Sequence, residues 1–419
     1  MTLLALAGCS GDEAPPPSVL VVVLDTARAD RLHLYGGPHD NSRQLEAVAA
    51  AGVTFEDVTT SSNWSWPSHA TLFTGLPPWE HGARRTRGEG LEQSGFRISG
   101  MREDVPTLAE DFAGAGYDTA LVSANPWLTP ELGLVRGFQS TQVVYEDREV
   151  VRLAEEQMDG ESVFLFVNLM SAHQPYVAAP AAWLDASRLD PAQAEPWILP
   201  LILDGEPRAL SIYGKVPVPG GELPASMAAL AGFMPIEDTE FLADLYDANL
   251  ALVDVYLNQL LTQWTARHPG GIVLITSDHG EYLGEHGLLD HGFGLDPEVT
   301  RVPLVLAAPD RLDPGQRIAM PVQLEGVRST LLNLAGLSEA EGGLFEPTQV
   351  VRAASWVDGR VGDAAMPKFR HDLAFERKGT EVTWYDRVPF EISPPGPVPK
   401  SPQDAQLEAL KALGYITQP

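Results

Sequence analysis

Val19-Leu20-Val21-Val22-Val23-Leu24 is an unbroken apolar run, rich in β-branched side chains, that stops at Asp25. A run without polar alternation predicts a strand covered on both faces, as in the middle of a parallel sheet. The pattern recurs at residues 163–169, 272–276 and 302–307, with extended pieces expected at 53–58 and 117–122. Apolar residues at helical spacing fill the gaps: residues 45–51 closed by Gly52, residues 105–115, and a long helix over 239–266. Strands alternating with helices predict an α/β fold with helices on both faces of the sheet. Ligands in such folds bind beyond the carboxyl ends of the strands. Asp25, His173 and Asp278 all fall shortly after such ends, so three separate segments are expected to bring acid and imidazole groups to one edge.

The remaining segments read differently. Residues 177–235 are rich in proline and lack steady periodicity, as expected of an insertion, and their position makes them the candidate substrate-selecting wall. Residues 372–386 are expected to form a hairpin and 403–413 a closing helix, giving a small C-terminal α+β subdomain over 341–419 beside a main domain over 19–340. Residues 1–18 stand apart. The stretch Leu6-Ala7-Gly8-Cys9 resembles a bacterial lipobox, and the Pro-rich residues after it read as a tether. Cys9 is therefore the expected lipidation site, and the chain an expected lipid-anchored protein of the bacterial cell envelope. As the only cysteine, it leaves no intrachain disulfide. No later run is apolar and long enough to span a bilayer.

Charge narrows the function. With 28 Lys and Arg against 57 Asp and Glu, the net charge of −29 excludes nucleic acid as a partner. It also offers no general attraction for anions, so any anion site must be a local one.

The sharpest motif is Thr276-Ser277-Asp278-His279-Gly280-Glu281. Adjacent Asp and His side chains can converge on one ion where a strand ends and the chain turns, and carboxylate with imidazole suits Zn²⁺, Mn²⁺ or a mixed hard site. Asp25 ends the first strand in the same way. The segment Ser65-Trp66-Pro67-Ser68-His69-Ala70-Thr71-Leu72-Phe73-Thr74-Gly75 starts with a hydroxyl beside what reads as a helix N-terminus. Read in isolation, Ser65 is a helix cap, Asp30 and Asp254 cap helices or pair with arginines such as Arg28 and Arg31, and His286 is structural.

Residues 65–75 resemble the sulfatase signature Cys/Ser-x-Pro-Ser-Arg-x-x-Leu-x-Thr-Gly. Other segments similar to that family follow in order: Asn125-Pro126-Trp127-Leu128, Ser171-Ala172-His173-Gln174-Pro175-Tyr176, Tyr246-Asp247-Ala248, Glu285-His286-Gly287, Arg301-Val302-Pro303-Leu304 and Leu410-Lys411-Ala412-Leu413-Gly414-Tyr415. The resemblance runs from residue 18 onward, to the sulfatase branch of the alkaline phosphatase superfamily and within it to small bacterial lipoproteins with Ser at the nucleophile position. It implies a mixed, mostly parallel sheet with helices on both faces. It implies one divalent metal, Ca²⁺ in a sulfatase, with Mn²⁺ and Zn²⁺ left open by His279. Asp25, Asp278 and His279 would be its ligands, with Ser65 as fourth contact and nucleophile. His69, His173 and His291 would be catalytic, and Asn125, His173 and His291 would contact substrate. Either His173 or His291 could protonate a leaving alkoxide.

Departures from the pattern bear on the substrate. Thr26 follows Asp25 where many sulfatases have a second Asp. His69 replaces the signature Arg that supports a formylglycine nucleophile, and Ser123-Ala124-Asn125 replaces a segment with a sulfate-binding Lys. The expected substrate is a sulfate ester of a small molecule, glycan or lipid head group. An unmodified Ser65 fits a phosphoester or phosphonate hydrolase or an envelope phosphotransferase, and the lost groups fit a weakened anion- or glycan-binding lipoprotein.

Overall fold

The apolar run at the start of the chain becomes the central strand β1 (Val19–Leu24) of an eight-stranded sheet in the computed structural model. The structure describes residues 15–86, 91–93, 96–174, 176–177, 181–184, 199–203, 206–211, 215–218, 221–224, 236–292, 294–339, 343–355, 374–385, 388–394 and 396–399. The other strands of the sheet, in chain order, are β2 (Val53–Phe55), β3 (Asp118–Ser123), β4 (Ser140–Val143), β5 (Val163–Leu169), β6 (Ile272–Thr276), β7 (Leu304–Ala307) and β8 (Gln316–Ile318). Their spatial order is β8-β2-β7-β6-β1-β5-β3-β4. Only β7 runs against the rest, pairing antiparallel with both β6 and β2, so the sheet is mixed and mostly parallel.

The unbroken hydrophobicity of β1 has a direct packing cause. Leu20, Val22 and Leu24 enter one hydrophobic core, while Val19, Val21 and Val23 enter another on the opposite face. The first core is closed by helices α1 (Arg43–Ala51), α4 (Asp147–Glu156) and α5 (Ile236–Arg267), through residues such as Leu45, Val150, Leu250 and Trp264. The second is closed by α2 (Ser65–Thr74), α3 (Leu108–Gly114) and α6 (Gly326–Leu334), through Phe73, Phe112 and Leu331. Each fully buried Val or Leu contributes roughly 1.5–3 kcal/mol, and this two-sided burial fixes the strand in place.

Register brings the strand ends flush. Val23 pairs with Thr276 on one side and Asn168 on the other, and Asn168 pairs in turn with Ser123. The Asp25 N–H continues the ladder to the Leu169 carbonyl at 2.8 Å. Asp25, Asn125, Asn168 and Asp278 therefore emerge at the same edge from four neighbouring strands.

Several sequence expectations shift in detail. The expected helix over 105–115 starts at Leu108, because Thr107 caps it in a reciprocal capping box with Glu110. The extended piece at 53–58 divides into Val53–Phe55 and Val58–Thr59. Ser65 is not a helix cap: Trp64 holds that position with extended backbone, and Ser65 is the first helical residue. Asp254 caps a helix as expected, accepting from the Gln44 and Leu45 backbone N–H groups at the start of α1. Asp30 does pair with Arg28, at 2.7 Å.

Within 177–235 the described residues form two small antiparallel sheets, Tyr176–Val177 with Glu206–Ser211 and Leu199–Leu203, and Lys215–Val218 with Gly221–Pro224. The hairpin near the C-terminus is Ala374–Lys378 and Glu381–Tyr385, joined by Val351–Ala354. Arg377 anchors it to the main sheet layer by two hydrogen bonds to Asp57, at 2.6 and 2.7 Å. Cys9 and the closing helix expected at 403–413 lie outside the described residues.

α2 is buried along all ten of its residues. Trp66 and Trp64 pack against Trp127, with ring centroids 5.6 and 5.7 Å apart, and the Trp66 indole N–H donates to the Ser99 carbonyl. Beneath the helix, His81 Nδ1 accepts from the Ala83 N–H and its Nε2 faces Thr71 Oγ1 at 3.2 Å. Burial pushes the His81 imidazole down to about 3. The unfolded chain binds a proton there near the ordinary histidine pKa and the folded chain does not, so folding stability from this group is complete above pH 6.5 and lost as pH falls toward 3. Thermal unfolding from pH 7 to 4 should show the wild-type midpoint falling more steeply than that of His81→Gln; parallel slopes would contradict this.

Candidate active site

Two carboxylates define the centre. Asp25 Oδ2 accepts from the side-chain amides of Asn125 at 2.7 Å and Asn168 at 2.9 Å. Asp278 Oδ1 accepts from the backbone N–H groups of His279 at 3.0 Å and Thr26 at 3.2 Å. Each carboxylate is thus held rigidly by one oxygen. The other oxygens, Asp25 Oδ1 and Asp278 Oδ2, are buried with no hydrogen-bond partner. All these residues are fully buried, where an unmatched anionic oxygen is costly.

The backbone at Thr26 makes this possible. Thr26 has φ +58, an uncommon value for a β-branched residue. In that conformation its N–H reaches Asp278, its hydroxyl donates to the Asp25 carbonyl at 2.7 Å, and its own carbonyl accepts from the Tyr246 hydroxyl at 2.7 Å. The position that carries a second Asp in many sulfatases here carries a backbone link between the two carboxylates.

Ser65 Oγ lies 3.2 Å from His279 Nε2. His279 Nδ1 is 2.9 Å from the Gly280 carbonyl, which can only accept, so Nδ1 carries the proton and Nε2 presents a lone pair. Burial, reinforced by the charge of His291, pushes His279 well below the usual histidine range and keeps it neutral. His279 Nε2 is also 3.3 Å from the bare Asp278 Oδ2. A hydroxyl, a neutral imidazole nitrogen and two anionic oxygens are gathered here.

His69 lies close enough to share an ion with Asp25 and Asp278, its Nδ1 being 3.5 Å from Asp278 Oδ2, and it also makes two contacts of its own. Its Nδ1 donates to the Ser65 carbonyl at 2.9 Å, and its Nε2 meets the Asn168 amide at 3.3 Å. Both ring nitrogens thereby meet the backbone of the candidate nucleophile and the amide that holds Asp25. Asn125 is likewise engaged at both ends of its amide, with Asp25 and with the Trp127 N–H. Its bond to Asp25 orients that carboxylate.

His173 and His291 form the outer side of the site. Their rings lie 5.0 Å apart, and the His291 ring is 4.4 Å from that of His279. The loop bearing His173 is set by Asp147, whose two oxygens accept from the Met170 and Ser171 N–H groups, each at 2.7 Å. Burial alone would lower the His291 pKa, but the Asp290 and Glu281 carboxylates outweigh it and raise it to about 10. His286 is half-exposed and pairs with Glu298.

Sequence reasoning missed Asn168, Asp147, Glu281 and Asp290. Asn168 did carry a signal, as the one polar residue in a strand buried on both faces. Glu281 stood at the end of the sharpest motif without a role assigned to it, and Asp290 was one acid among many in this chain.

Carboxylates, amides, imidazoles and a hydroxyl meet at the carboxyl edge of this mostly parallel sheet, an arrangement suited to ester hydrolysis. Residues 17–337 match the sulfatase family model, and the chain belongs to that family of sulfuric ester hydrolases. It is 23% identical to an uncharacterized sulfatase, YidJ, of Escherichia coli over 369 residues, spanning 78% of this chain and 69% of that protein. It is 25% identical to the choline-sulfatase of Rhizobium meliloti over 388 residues, again 78% of this chain and 69% of that one. Among solved structures, the phosphonate monoester hydrolase of Agrobacterium radiobacter superposes with a TM-score of 0.61 at 20% identity, covering 88% of this chain and 87% of that one. That last likeness is one of fold.

The strain at Thr26 yields a test. Thr26→Asn, which tolerates positive φ, should equal or exceed wild type in thermal stability. Thr26→Val keeps the strain, loses the hydroxyl bond and should cost about 1–2 kcal/mol in urea unfolding. The reverse order would contradict the role given to this residue.

Proposed function

We propose that this protein is a metal-dependent hydrolase of sulfate esters that uses Ser65, as its hydroxyl or after oxidation to formylglycine, as its nucleophile. The observation that carries the reading is the pair of bare oxygens, Asp25 Oδ1 and Asp278 Oδ2, buried beside the His279 Nε2 lone pair and Ser65 Oγ. Two buried carboxylates flanked by a neutral imidazole fit a divalent cation, and Asp25, Asp278 and His279 are the residues that would hold it. Such an ion supplies a Lewis acid that polarises the ester and lowers the pKa of a nearby hydroxyl.

The chain's own groups divide the remaining work. Asn125 and Asn168 fix Asp25, a supporting shell of the kind that sets metal affinity. His69 fixes the Ser65 backbone, so that Oγ stays aimed at the centre. Burial of the whole edge excludes water until substrate enters. His173 and His291 are the groups suited to meet the ester and the oxygen that leaves.

Membership in the sulfatase family favours sulfate. A second reading, phosphoester or phosphonate hydrolysis or phosphoryl transfer, is supported by an unmodified Ser65 and by His69 in place of the signature Arg. A small molecule, glycan or lipid head group would serve as the esterified partner. Lipid attachment at Cys9, placing the enzyme on the cell envelope, belongs to the same proposal and rests on the lipobox-like sequence.

Metal analysis together with assays on 4-nitrophenyl sulfate and 4-nitrophenyl phenylphosphonate tests the proposal. Asp278→Ala should lose metal affinity by at least about 100-fold, the upper end of what supporting residues alone cost, and lose turnover with it. Ser65→Ala should keep most of its metal and lose turnover. Wild-type rates in either variant would refute the reading.

A further inference from the structure

Glu281 stands out among the buried acids that the proposed function leaves unused. It is fully buried, two residues beyond His279, and its Oε2 accepts from the Tyr176 hydroxyl at 2.6 Å. Tyr176 packs edge-on against Tyr246, with centroids 5.8 Å apart, and Tyr246 in turn bonds the Thr26 carbonyl. Glu281 Oε1 has no hydrogen-bond partner and lies 3.5 Å from His291 Nδ1. A fully buried carboxylate with one neutral donor is poorly compensated unless a cation faces it.

Asp290 approaches the same nitrogen from the other side, at 2.9 Å. It also accepts from the His291 backbone N–H at 2.7 Å, and its own backbone is held at φ +71. Two acids from different segments thus converge on one edge of one imidazole, and one of them does so from a strained backbone. Strain of this kind persists where surrounding contacts impose it, often at functional sites.

Resting on the hydrolase reading above, we propose that Glu281 and Asp290 are positioning residues that hold His291 by Nδ1 and so assign to its Nε2, rather than to His173, the proton given to the leaving oxygen. Ser65 Oγ, losing its proton to solvent, bonds to sulfur or phosphorus as the bond to the leaving oxygen breaks; that bond's electron pair stays on the leaving oxygen and the Nε2 proton goes to it. Water then attacks the same sulfur or phosphorus and gives a proton to the neutral His291, while the bond to Ser65 Oγ breaks with its electron pair staying on Oγ, which takes back a proton from solvent. A group oriented by a carboxylate behind it is the usual arrangement for an imidazole that transfers protons.

Leaving-group dependence separates positioning from mere support of the fold. Wild type, Glu281→Gln, Asp290→Asn and Tyr176→Phe would be assayed on phenyl and 4-nitrophenyl esters of the same acid, sulfate or phenylphosphonate, alongside metal content and unfolding midpoint. Both acid variants should lose on the order of 10-fold more kcat on the phenyl ester, whose leaving group needs the proton, than on the 4-nitrophenyl ester, with KM little changed. Tyr176→Phe, which removes only the hydroxyl clamping Glu281, should shift the same ratio in the same direction by less. The His291 Nδ1–H proton resonance should move in Asp290→Asn.

Equal losses on the two esters, or no loss, would overturn the proposal while leaving the hydrolase reading standing. A second metal ion per chain that disappears in Glu281→Gln would also overturn it, by making these acids ligands. A wild type that turns over neither acid's esters would fail the hydrolase reading itself, and the positioning role with it.

Discussion

Everything at the sheet edge depends on keeping two carboxylates buried with one oxygen each left bare. Asp25 and Asp278 project from adjacent strands whose register is fixed residue by residue. Each is satisfied on one side by two N–H donors and on the other by none. In a low-dielectric interior such an arrangement is expensive. The nearest bases do not repay it in full: His279 is held neutral, and His69 Nδ1, 3.5 Å from Asp278 Oδ2, donates to the Ser65 carbonyl. The cation proposed for the site answers that electrostatic need, and the strained Thr26 and the paired asparagines follow from it as supports.

The replacement of the signature Arg by His69 acquires a physical meaning in this setting. A shorter, planar side chain at that helical position reaches back to the Ser65 carbonyl and sideways to Asn168, tying nucleophile and carboxylate into one unit. A guanidinium would present several donors and a permanent charge. Here the charge near the site lies instead on His291, between Asp290 and Glu281. His291 is thereby matched by its own carboxylates, so in a chain of net charge −29 the positive charge offered to an anionic ester falls to the proposed cation.

The legible part of the structure was the part governed by periodicity. Apolar runs without alternation marked β1, β5 and β6, because burial on both faces removes any reason for alternation. Asp25 and Asp278 were legible as the first acids beyond β1 and β6, and Ser65 and His279 through motif. Helix starts were less so: Ser65 resembles a cap in sequence, yet Trp64 takes that place because its ring packs against Trp127. The roles of Asn125 and His69 depend on which atoms face one another across 100 and 99 residues of chain, to Asp25 and to Asn168. No local pattern carries that information. Glu281 and Asp290 likewise gain their meaning only from a shared imidazole.

The central claim is that residue 65 supplies the nucleophile that attacks the ester. Peptide mass spectrometry of protein quenched in acid during turnover, with protein from the native host before substrate as reference, tests it most directly. The account predicts a sulfo or phospho adduct on residue 65 during turnover, absent from the Ser65→Ala protein; before substrate, a peptide lighter by the two hydrogens of an aldehyde supports the sulfate reading and an unmodified Ser65 the phosphoester one. Turnover without any adduct on residue 65 would contradict it.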